Sequence, residues 1–415
     1  MPPRVLLLLP AASYRNEAFV AAARRLGAEV IACADYCHRL APDWGLPPRM
    51  AVHFDQPEAA ADAILADLDA PPDAVIAVDD AGLELAAVLA KRLGVPANPP
   101  SAVRRLHDKL AFRELLLAAR LPCPAFRAVA AGAEAAAAAR ALRFPLVVKA
   151  RRLSGSRGVL RADDAASLER AAERVRAIQD RADRSSRELG LVLEAFIPGS
   201  EHALEGLIEG GRLRVLAVFD KPDPLDGPAF EETILVTPSR LPPATQAAFA
   251  EAVQRAATAA GLVTGPVHAE ARVNAEGVWL LEAAPRSIGG LCGRILTPAL
   301  GVPLEELILR QALGLPAPAH GEAGAAGAMM IPIPRRGILQ RVHNVEAALQ
   351  VPGVTGVRIT AEPGQLLAPP PEGASYLGFI FSRAATPAEA EIALRVAHLQ
   401  LAVDLAPEYP ARKAG

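Results

Sequence analysis

The sequence lacks the features that would tie it to nucleic acid or to a membrane. Its formal net charge is only −2 over 415 residues, so no electrostatic attraction to polyanions or anionic lipid is expected. It contains no run of about 18 apolar residues, and therefore no membrane-spanning helix is predicted. With 52% hydrophobic and 22% charged residues, the chain predicts a globular protein of two or three domains, with the cytoplasm as its expected location.

Cysteine is scarce, and its spacing is irregular. The four cysteines, at positions 33, 37, 123 and 292, form no C-x-x-C pair. This pattern predicts small buried thiols in a reducing compartment rather than a disulfide framework. Cys33, Cys37 and His38 lie close together in the sequence, which leaves a metal site there as the alternative.

Lysine is almost absent. The 44 basic residues include only five lysines, at 91, 109, 149, 221 and 413, which leaves 39 arginines. A chain that uses arginine for ordinary positive charge retains an interior lysine where a compact ammonium group is needed. Lys109 and Lys149 are therefore candidate ligand-binding residues, with ordinary surface charge as the alternative.

The common glycine-rich nucleotide motifs are also missing. Neither G-x-G-x-x-G after the first strand nor G-x-x-x-x-G-K-[ST] occurs, which disfavours a dinucleotide-binding fold and a P-loop. The opening apolar run ends at Pro10 and indicates a buried strand, Arg4–Leu9, rather than a signal peptide. Strand and helix patterns then alternate up to residue 98, which predicts a parallel sheet with helices on its faces.

Three further segments have readable local signals. A helix is predicted from Ser101 to Arg120, and the low-complexity stretch His320–Ala328 is predicted to be a linker. Thr386, followed by Pro387 and Glu389, has the pattern of a capped helix start.

The segment 266–286 has the most informative pattern. Polar and apolar residues alternate along its first half, which predicts a strand with one polar face. A three-residue loop, Ala275–Gly277, would return the chain antiparallel and set Glu270 directly opposite Glu282. Carboxylates at opposite positions lie about 5 Å apart and need a positive charge, which Mg²⁺ supplies when it binds carboxylates together with nucleotide phosphates. An exposed hairpin with unrelated acidic residues is the alternative.

Two other segments suit a nucleotide. Lys149 ends an apolar strand and precedes a small-residue loop, Ser154–Gly158, whose backbone N–H groups suit a phosphate. Glu194 begins an extended hinge, followed at a distance by Glu201, and free backbone groups in such a hinge can hold a flat heterocycle. A surface hairpin and an ordinary turn are the respective alternatives.

Together, and in this order, these segments resemble the ATP-grasp superfamily from about His107 to Leu291. The resemblance implies phosphate binding by two lysines and a flexible loop: Lys109, Lys149, Ser154, Gly155, Ser156 and Gly158. It implies an adenine-binding hinge followed by a ribose-binding acid: Glu194, Ala195, Phe196, Ile197 and Glu201. It implies that Glu270 and Glu282 bind Mg²⁺, with Mn²⁺ as a substitute. It also implies a set of substrate-binding residues: Glu232, His268, Arg286, Gly289 and Gly290.

One position departs from the common pattern of the superfamily. Many members carry Asn two residues after the second acid, where this chain has Ala284. The stretch 282–286 and the triplet 268–270 resemble the bacterial L-amino-acid ligases that form dipeptides, as does the stretch 378–384. The alanine leaves open how fully protein side chains hold a second Mg²⁺.

The resemblance implies an α/β fold in three parts. These are an N-terminal parallel-sheet domain at 1–98, an ATP-grasp core at 99–328 with a lid at about 122–193, and a C-terminal α/β domain at 329–415. Nucleotide would lie between lid and core, because ligands often bind between domains.

The implied reaction is ATP-dependent carboxylate–amine ligation through an acyl phosphate, with release of ADP and phosphate and with Arg286 and Lys149 as catalytic residues. Its substrates would be a small carboxylate and an amine, with amino acids as the first candidates, and a homodimer is left open. Two alternatives remain: a carboxylase that uses ATP and bicarbonate, similar to biotin carboxylase, and a non-catalytic ATP-binding protein. The carboxylases usually carry a Glu–His pair soon after the arginine, where this chain has the stretch 288–292.

Overall fold

The structure is a computed structural model that describes residues 2–11, 13–35, 48–182, 188–318, 321–373 and 375–408. Cys37, His38 and His320 lie outside these residues, and so does the metal site considered near Cys37. The helices are α1 Asn16–Arg25, α2 Pro57–Asp67, α3 Leu83–Leu93, α4 Pro100–His107, α5 Lys109–Ala118, α6 Ala135–Ala139, α7 Ala165–Ala182, α8 Pro243–Ala260, α9 Thr297–Leu300, α10 Leu304–Ala312, α11 Val345–Leu349 and α12 Pro387–Gln400. The strands are β1 Arg4–Leu9, β2 Glu29–Ala34, β3 Pro48–Ala51, β4 Ala74–Ala77, β5 Phe126–Val129, β6 Leu146–Ala150, β7 Val159–Ala162, β8 Leu191–Ala195, β9 Ser200–Glu209, β10 Arg212–Lys221, β11 Ile234–Thr237, β12 Thr264–Asn274, β13 Gly277–Ala284, β14 Ala325–Ile331, β15 Gly337–His343, β16 Val354–Ile359, β17 Leu366–Leu367, β18 Gly378–Ala384 and β19 Ala402–Ala406.

The chain folds into two compact units, each assembled from three segments. The first unit comprises Met1–Cys123, Ala203–Val218 and Pro242–Ala323. The second unit comprises Pro124–His202, Phe219–Leu241 and Gly324–Gly415. The predicted α/β class is confirmed, while the predicted boundaries near 98 and 328 remain predictions.

The first unit begins with the predicted parallel sheet. Its strand order is β3-β2-β1-β4, and each neighbouring pair runs parallel. Leu6 and Leu8 of β1 are fully buried and pack in the same apolar cluster as Leu85 and Leu89 of α3. Strands covered on both faces consist of continuous apolar residues, and this explains the run that identified β1 in the sequence.

The predicted helix from Ser101 to Arg120 is wrong, because the chain forms two helices there. Asp108 is extended and separates α4 from α5, and its carboxylate accepts hydrogen bonds from the Leu110 and Ala111 N–H groups. An aspartate at such a position satisfies the first N–H groups of a new helix better than it continues the old one. Lys109 is consequently the first residue of α5.

The antiparallel hairpin of the first unit has the predicted register at the two acids but not the predicted loop. Glu270 lies directly opposite Glu282, yet Asn274 pairs with Gly277, so the loop has two residues and not three. A β-bulge after Glu270 adds Leu281 to β13 and restores the register. Buried Arg113 stabilises this irregularity by donating hydrogen bonds to the Leu280 and Leu281 carbonyls, at 3.2 and 2.8 Å.

Within this unit the hydrogen-bonded order of the antiparallel strands is β13-β12-β9-β10. One face of the sheet is covered by α4, α5 and α8, whose buried residues Leu106, Phe112 and Phe249 share an apolar cluster with Val267 and Leu280. The polar face of β12 and β13 is the opposite one, which leaves the paired acids outside the core.

The second unit contains a small antiparallel sheet of order β5-β8-β6-β7. Helix α7 packs on it, with Leu168 and Val175 buried against Leu146 and Val148. Lys149 and Glu194 therefore lie on strands β6 and β8, which are hydrogen-bonded neighbours.

In this unit β11, β14, β18 and β16 are also hydrogen-bonded neighbours in that order, and another sheet has the order β17-β15-β19. The predicted linker at His320–Ala328 is wrong in its second half, because Ala325–Ala328 belong to the buried strand β14. Small residues there allow close packing under α12, and they resemble a linker only in composition. The predicted capped start of α12 is confirmed, since Thr386 and Glu389 form a reciprocal capping box.

Cys33 and Cys292 are buried, as predicted for small apolar side chains. Among the helices of the described ranges, none combines the length and the apolar character needed to cross a bilayer.

Candidate active site

The paired acids on β12 and β13 form the first part of the candidate site, in the first unit. Glu270 and Glu282 project from opposite register positions on the polar face of the hairpin, and both are half-buried. Like charges at such positions repel unless a cation lies between them. Mg²⁺ typically binds one or two carboxylates and completes its coordination shell with water and phosphate oxygens, so the residues present fit this ion.

His268 lies two residues before Glu270 on the same face of β12. Its Nδ1 is 3.1 Å from Glu205 Oε2, and its Nε2 is 3.4 Å from Glu270 Oε1. Burial alone lowers the pKa of the imidazole, but the two carboxylates outweigh this effect and raise the pKa to about 9. The ring therefore carries a positive charge at neutral pH.

Arg286 follows β13, and two hydrogen bonds fix the orientation of its guanidinium. Nε donates to Asp80 Oδ1 over 2.7 Å, and Nη1 donates to the Ser287 carbonyl over 3.0 Å. Burial would lower the pKa of this group, but Asp80 and Glu282 raise it above the ordinary value for arginine. The group is a fixed cation on the polar side of the hairpin.

The backbone after Arg286 is anchored from the N-terminal segment. Fully buried Arg15 donates through Nη1 to the Ser287 carbonyl over 3.3 Å, and through Nη2 to the Ser287 hydroxyl. The Ile288 N–H donates to Glu205 Oε2 over 3.0 Å. A glycine pair follows: Gly290 needs its positive φ of 60°, whereas a Cβ at Gly289 would meet no atom within 4 Å. Packing within the unit therefore does not explain Gly289.

The second part of the candidate site lies in the second unit and centres on Lys149. This buried residue forms an ion pair with Glu194, with 2.8 Å between Lys149 Nζ and Glu194 Oε2. The two predicted nucleotide-binding residues thus meet directly. Such a pair holds a compact ammonium group at the end of β6, next to the loop that follows it.

The loop 154–158 has the backbone shape that the small residues suggested. Gly155, Ser156 and Gly158 all have positive φ angles, of 63°, 56° and 66°. Successive residues of this kind expose backbone N–H groups to an anion. Arg157 in the same loop is half-buried, and its Nε has no hydrogen-bond partner among the described residues. Burial lowers its pKa, and an anionic ligand would relieve that cost.

The hinge after Glu194 differs from the prediction in one respect. The Ala195 N–H donates to the Ala125 carbonyl over 2.8 Å, and the Phe196 N–H donates to the Pro145 carbonyl over 3.0 Å. The prediction of free backbone groups is therefore wrong for these two N–H groups, because neighbouring strands of the small sheet use them. Ile197 is the next hinge residue, and its N–H has no hydrogen bond within the described ranges.

Aromatic and basic side chains surround this hinge. The Phe196 ring stacks on Phe230 with 6.4 Å between centroids. The guanidinium carbon of Arg161 lies 4.5 Å from the Phe196 centroid. These three side chains offer flat surfaces of the kind that stack on a heterocyclic base.

Glu201 is buried and bound by a lysine that the sequence argument did not select. Lys221 Nζ lies 2.9 Å from Glu201 Oε1 and 2.7 Å from Glu232 Oε1. The scarcity of lysine could have identified Lys221, since the same reasoning selected Lys109 and Lys149. The sequence position of Asp80 could also have indicated a role in ligand binding, because this residue follows a parallel strand, and parallel sheets bind ligands at the carboxyl ends of their strands. Glu205 and Arg15 had no such signal, whereas Arg157 lies within the predicted phosphate-binding loop 154–158 but was not selected.

Comparison with known proteins finds two domain families that match segments of the chain. The ATP-grasp domain family matches residues 142–295, which include Lys149, Glu194, Glu270, Glu282 and Arg286. Over this segment the chain resembles the ATP-grasp superfamily. The L-amino acid ligase C-terminal domain 2 matches residues 329–406. The predicted resemblance to this superfamily and to bacterial L-amino-acid ligases is thereby confirmed.

Individual relatives agree with this assignment. The crystal structure of L-amino acid ligase from Bacillus licheniformis is similar over 97% of this chain and 98% of that chain, with a TM-score of 0.84 and 26% identity. Carnosine synthase 1 of Gallus gallus is 31% identical over 257 residues, which are 59% of this chain and 28% of that protein. The uncharacterized protein y4rH of Sinorhizobium fredii is 27% identical over 66% of this chain and 56% of its own length. The chain thus spans only 28% and 56% of these two curated relatives.

Proposed function

We propose that this protein is an ATP-dependent carboxylate–amine ligase that works through an acyl phosphate. The observation that carries the proposal is the register of β12 and β13, which sets Glu270 opposite Glu282 and is followed by the fixed guanidinium of Arg286. Paired carboxylates suit a nucleotide-bound metal, and an oriented guanidinium suits a carboxylate substrate. The predicted L-amino-acid-ligase resemblance supports the same reaction and makes amino acids the first substrates to test.

The reaction has two balanced steps. An oxygen of the substrate carboxylate attacks the γ-phosphorus of ATP, the bond to the β-phosphate oxygen breaks, and ADP leaves. The amine nitrogen then attacks the acyl carbon, the bond to the phosphate oxygen breaks, and phosphate leaves as the nitrogen loses a proton. Mg²⁺ held by Glu270 and Glu282 would neutralise charge on the ATP phosphates.

The chain's own residues would bind and orient the two reactants. Lys149 and the loop 154–158 would hold phosphate oxygens, with Arg157 as an added cation. Ile197 and the Phe196 ring would hold the base, and Glu201 the ribose. Arg286 would hold the carboxylate with parallel hydrogen bonds and then stabilise the acyl phosphate. Glu232 and Gly289 remain proposed substrate contacts, as does Lys109 for phosphate.

The test is ADP release with pairs of amino acids, followed by trapping with hydroxylamine. Hydroxylamine converts an acyl phosphate to a hydroxamate, so the wild type with its acid substrate should give hydroxamate without any amine substrate. Arg286→Ala should bind ADP normally and give little hydroxamate or amide. Arg25→Ala, which removes another arginine of the first unit, is the matched control and should keep the activity. Phosphate release without hydroxamate or amide, or release that depends on bicarbonate, would contradict the ligase proposal.

A further inference from the structure

We propose that His268 is a positioning residue that fixes Glu270 for metal binding and does not contact substrate. This inference rests on the proposed function, which assigns Glu270 and Glu282 to Mg²⁺. It departs from the family resemblance, which places His268 among the substrate-binding residues. The structure contains four observations in its favour.

The first observation is that both ring nitrogens of His268 face carboxylates. Nδ1 is 3.1 Å from Glu205, and Nε2 is 3.4 Å from Glu270, while the side chain is only 9% exposed. An imidazole has no other polar atoms, so no hydrogen-bonding edge is left for a substrate. The ring instead links the buried carboxylate of Glu205 to the carboxylate of Glu270 on the polar face.

The second observation is that the Glu205 carboxylate is held in a fixed position inside the protein. It is fully buried, and its Oε2 also accepts the Ile288 N–H over 3.0 Å. Its other oxygen, Oε1, has no hydrogen-bond partner within the described residues. Burying a carboxylate is costly unless the group is held by charge and hydrogen bonds. The imidazole of His268 compensates the buried charge of Glu205. The hydrogen bond from the Ile288 N–H fixes the position of the Glu205 carboxylate, and thereby the position of the imidazole.

The third observation concerns the strand opposite. His268 pairs with Ala284, and Glu270 pairs with Glu282, so these four residues share the polar face of the hairpin. Ala284 is the position at which many members of the superfamily carry Asn. Its methyl group takes up little of that face and leaves room for the imidazole next to Glu270.

The fourth observation is that Glu270 is only half-buried, and its backbone immediately precedes the β-bulge. A half-buried carboxylate beside such an irregularity can adopt several rotamers, and only some of them point an oxygen at a shared cation. A neighbouring side chain that pairs with the carboxylate and favours one rotamer lowers the cost of binding the metal. Removal of such neighbours typically reduces metal affinity by about 10- to 100-fold.

The test uses Mn²⁺ as the probe, because free Mn²⁺ is counted directly by electron paramagnetic resonance. Mn²⁺ is titrated into the full-length protein in the presence of saturating ADP, without any turnover. In His268→Asn the amide nitrogen stands near the position of Nδ1, so the contact with Glu205 is kept and the contact with Glu270 is lost. In His268→Gln the amide nitrogen reaches the position of Nε2 and can still face Glu270.

We expect the Kd for Mn²⁺ to rise at least about 10-fold in His268→Asn and to stay within about threefold of wild type in His268→Gln. His202→Asn is the matched control, because His202 is also buried and also faces a carboxylate, Asp220 at 3.2 Å. Its Mn²⁺ affinity should not change. ADP affinity in the absence of metal should be equal in all variants.

The outcomes separate this inference from the proposed function. A wild type that binds ADP but no Mn²⁺ would overturn the assignment of Glu270 and Glu282, and with it both proposals. Wild-type Mn²⁺ affinity in folded His268→Asn would overturn the inference alone, as would equal losses in the Asn and Gln variants. Should His268→Asn fail to fold, Glu205→Gln replaces it: the change keeps the shape, removes the charge that holds the imidazole, and should weaken Mn²⁺ binding likewise. Unchanged affinity there would overturn the inference.

Discussion

Arg286 Nε donates a hydrogen bond to Asp80 Oδ1 over 2.7 Å, although 206 residues separate the two in the chain. A second bond, from Nη1 to the Ser287 carbonyl, fixes the plane of the guanidinium. The Nη2 end carries no hydrogen bond within the described residues. Asp80 thus presents one particular end of the arginine to a carboxylate.

Asp80→Asn should weaken binding of the acid substrate without affecting the nucleotide. The amide keeps the size of the side chain but loses the charge that holds Arg286, and a hydrogen bond to a charged group is worth about 1.5–3 kcal/mol. We expect the KM for the acid found in the hydroxamate assay to rise about 10-fold, with ADP affinity unchanged. Asp62→Asn, which removes the charge of another Asp–Arg pair of the first unit, is the control. An unchanged KM in Asp80→Asn would show that Arg286 does not need this partner.

Gly289→Ala should impair activity without loss of stability. A Cβ at this position meets no protein atom within 4 Å, and the residue does not have a positive φ, so the fold tolerates alanine. If substrate approaches the backbone here, the added methyl group blocks it, and kcat/KM should fall at least about 10-fold at an unchanged Tm. Gly290→Ala is the contrasting variant, because its φ of 60° strains any side chain and should lower the Tm. Full activity in Gly289→Ala would remove this residue from the proposed substrate contacts.

Lys149→Arg should lose nucleotide affinity although it conserves charge. The ammonium group is buried and 2.8 Å from Glu194, and a planar guanidinium differs from it in size, shape and hydrogen-bond geometry. Isothermal titration with ADP should show a Kd at least about 10-fold higher than that of wild type. Lys91→Arg, at an exposed position of α3, is the control and should bind ADP normally. A wild-type Kd in Lys149→Arg would leave Lys149 with a structural role only.

Lys221→Met should destabilise the second unit by leaving two carboxylates without their shared cation. The ammonium group lies within 2.9 Å of Glu201 and 2.7 Å of Glu232, and its side chain is only 3% exposed. Removal of one member of a buried ion pair costs about 3–5 kcal/mol. Urea denaturation should show this loss, and the triple variant with Glu201→Gln and Glu232→Gln should recover part of it. No recovery would mean that Lys221 stabilises through packing rather than charge.

Asp220 should make the protein acid-sensitive. Burial opposes the charged form of Asp220, but His202, whose Nδ1 lies 3.2 Å away, and hydrogen bonds from Ser239 and Arg240 outweigh it and hold the pKa of this carboxyl well below its usual value. A pKa lowered by folding contributes stability above the unfolded value of about 3.9, and this contribution is lost as the pH falls through the folded value. Asp220→Asn should therefore lose stability at pH 6 but show a smaller further loss on acidification below about pH 4 than the wild type does. Equal pH dependence in the two proteins, measured by urea denaturation, would contradict this assignment.

Local sequence patterns predicted several of the strands and helices and part of the candidate active site. The apolar run of β1 and the Thr386 capping signal were each sufficient, because burial and capping act within a few residues. Alternation along β12 predicted its polar face, but the pairing of Glu270 with Glu282 was predicted with a loop one residue too long. The β-bulge at Leu281 compensates that difference, and it depends on Arg113, which comes from a helix far away in the sequence.

The partners of these residues were decided only by tertiary structure. The spacing of Asp80 and Arg286 in the sequence does not indicate that their side chains meet, and neither does that of Glu205 and His268. Strand pairing and helix packing bring distant segments together, and such contacts produce no repeating pattern in the sequence. The scarcity of lysine could have identified Lys221 as a candidate residue, but its two glutamate partners are evident only in the folded second unit. The sequence by itself therefore determined which residue types could bind metal, phosphate and carboxylate, and the tertiary structure decided how each is held, since orientation depends on contacts between segments that are remote in the chain.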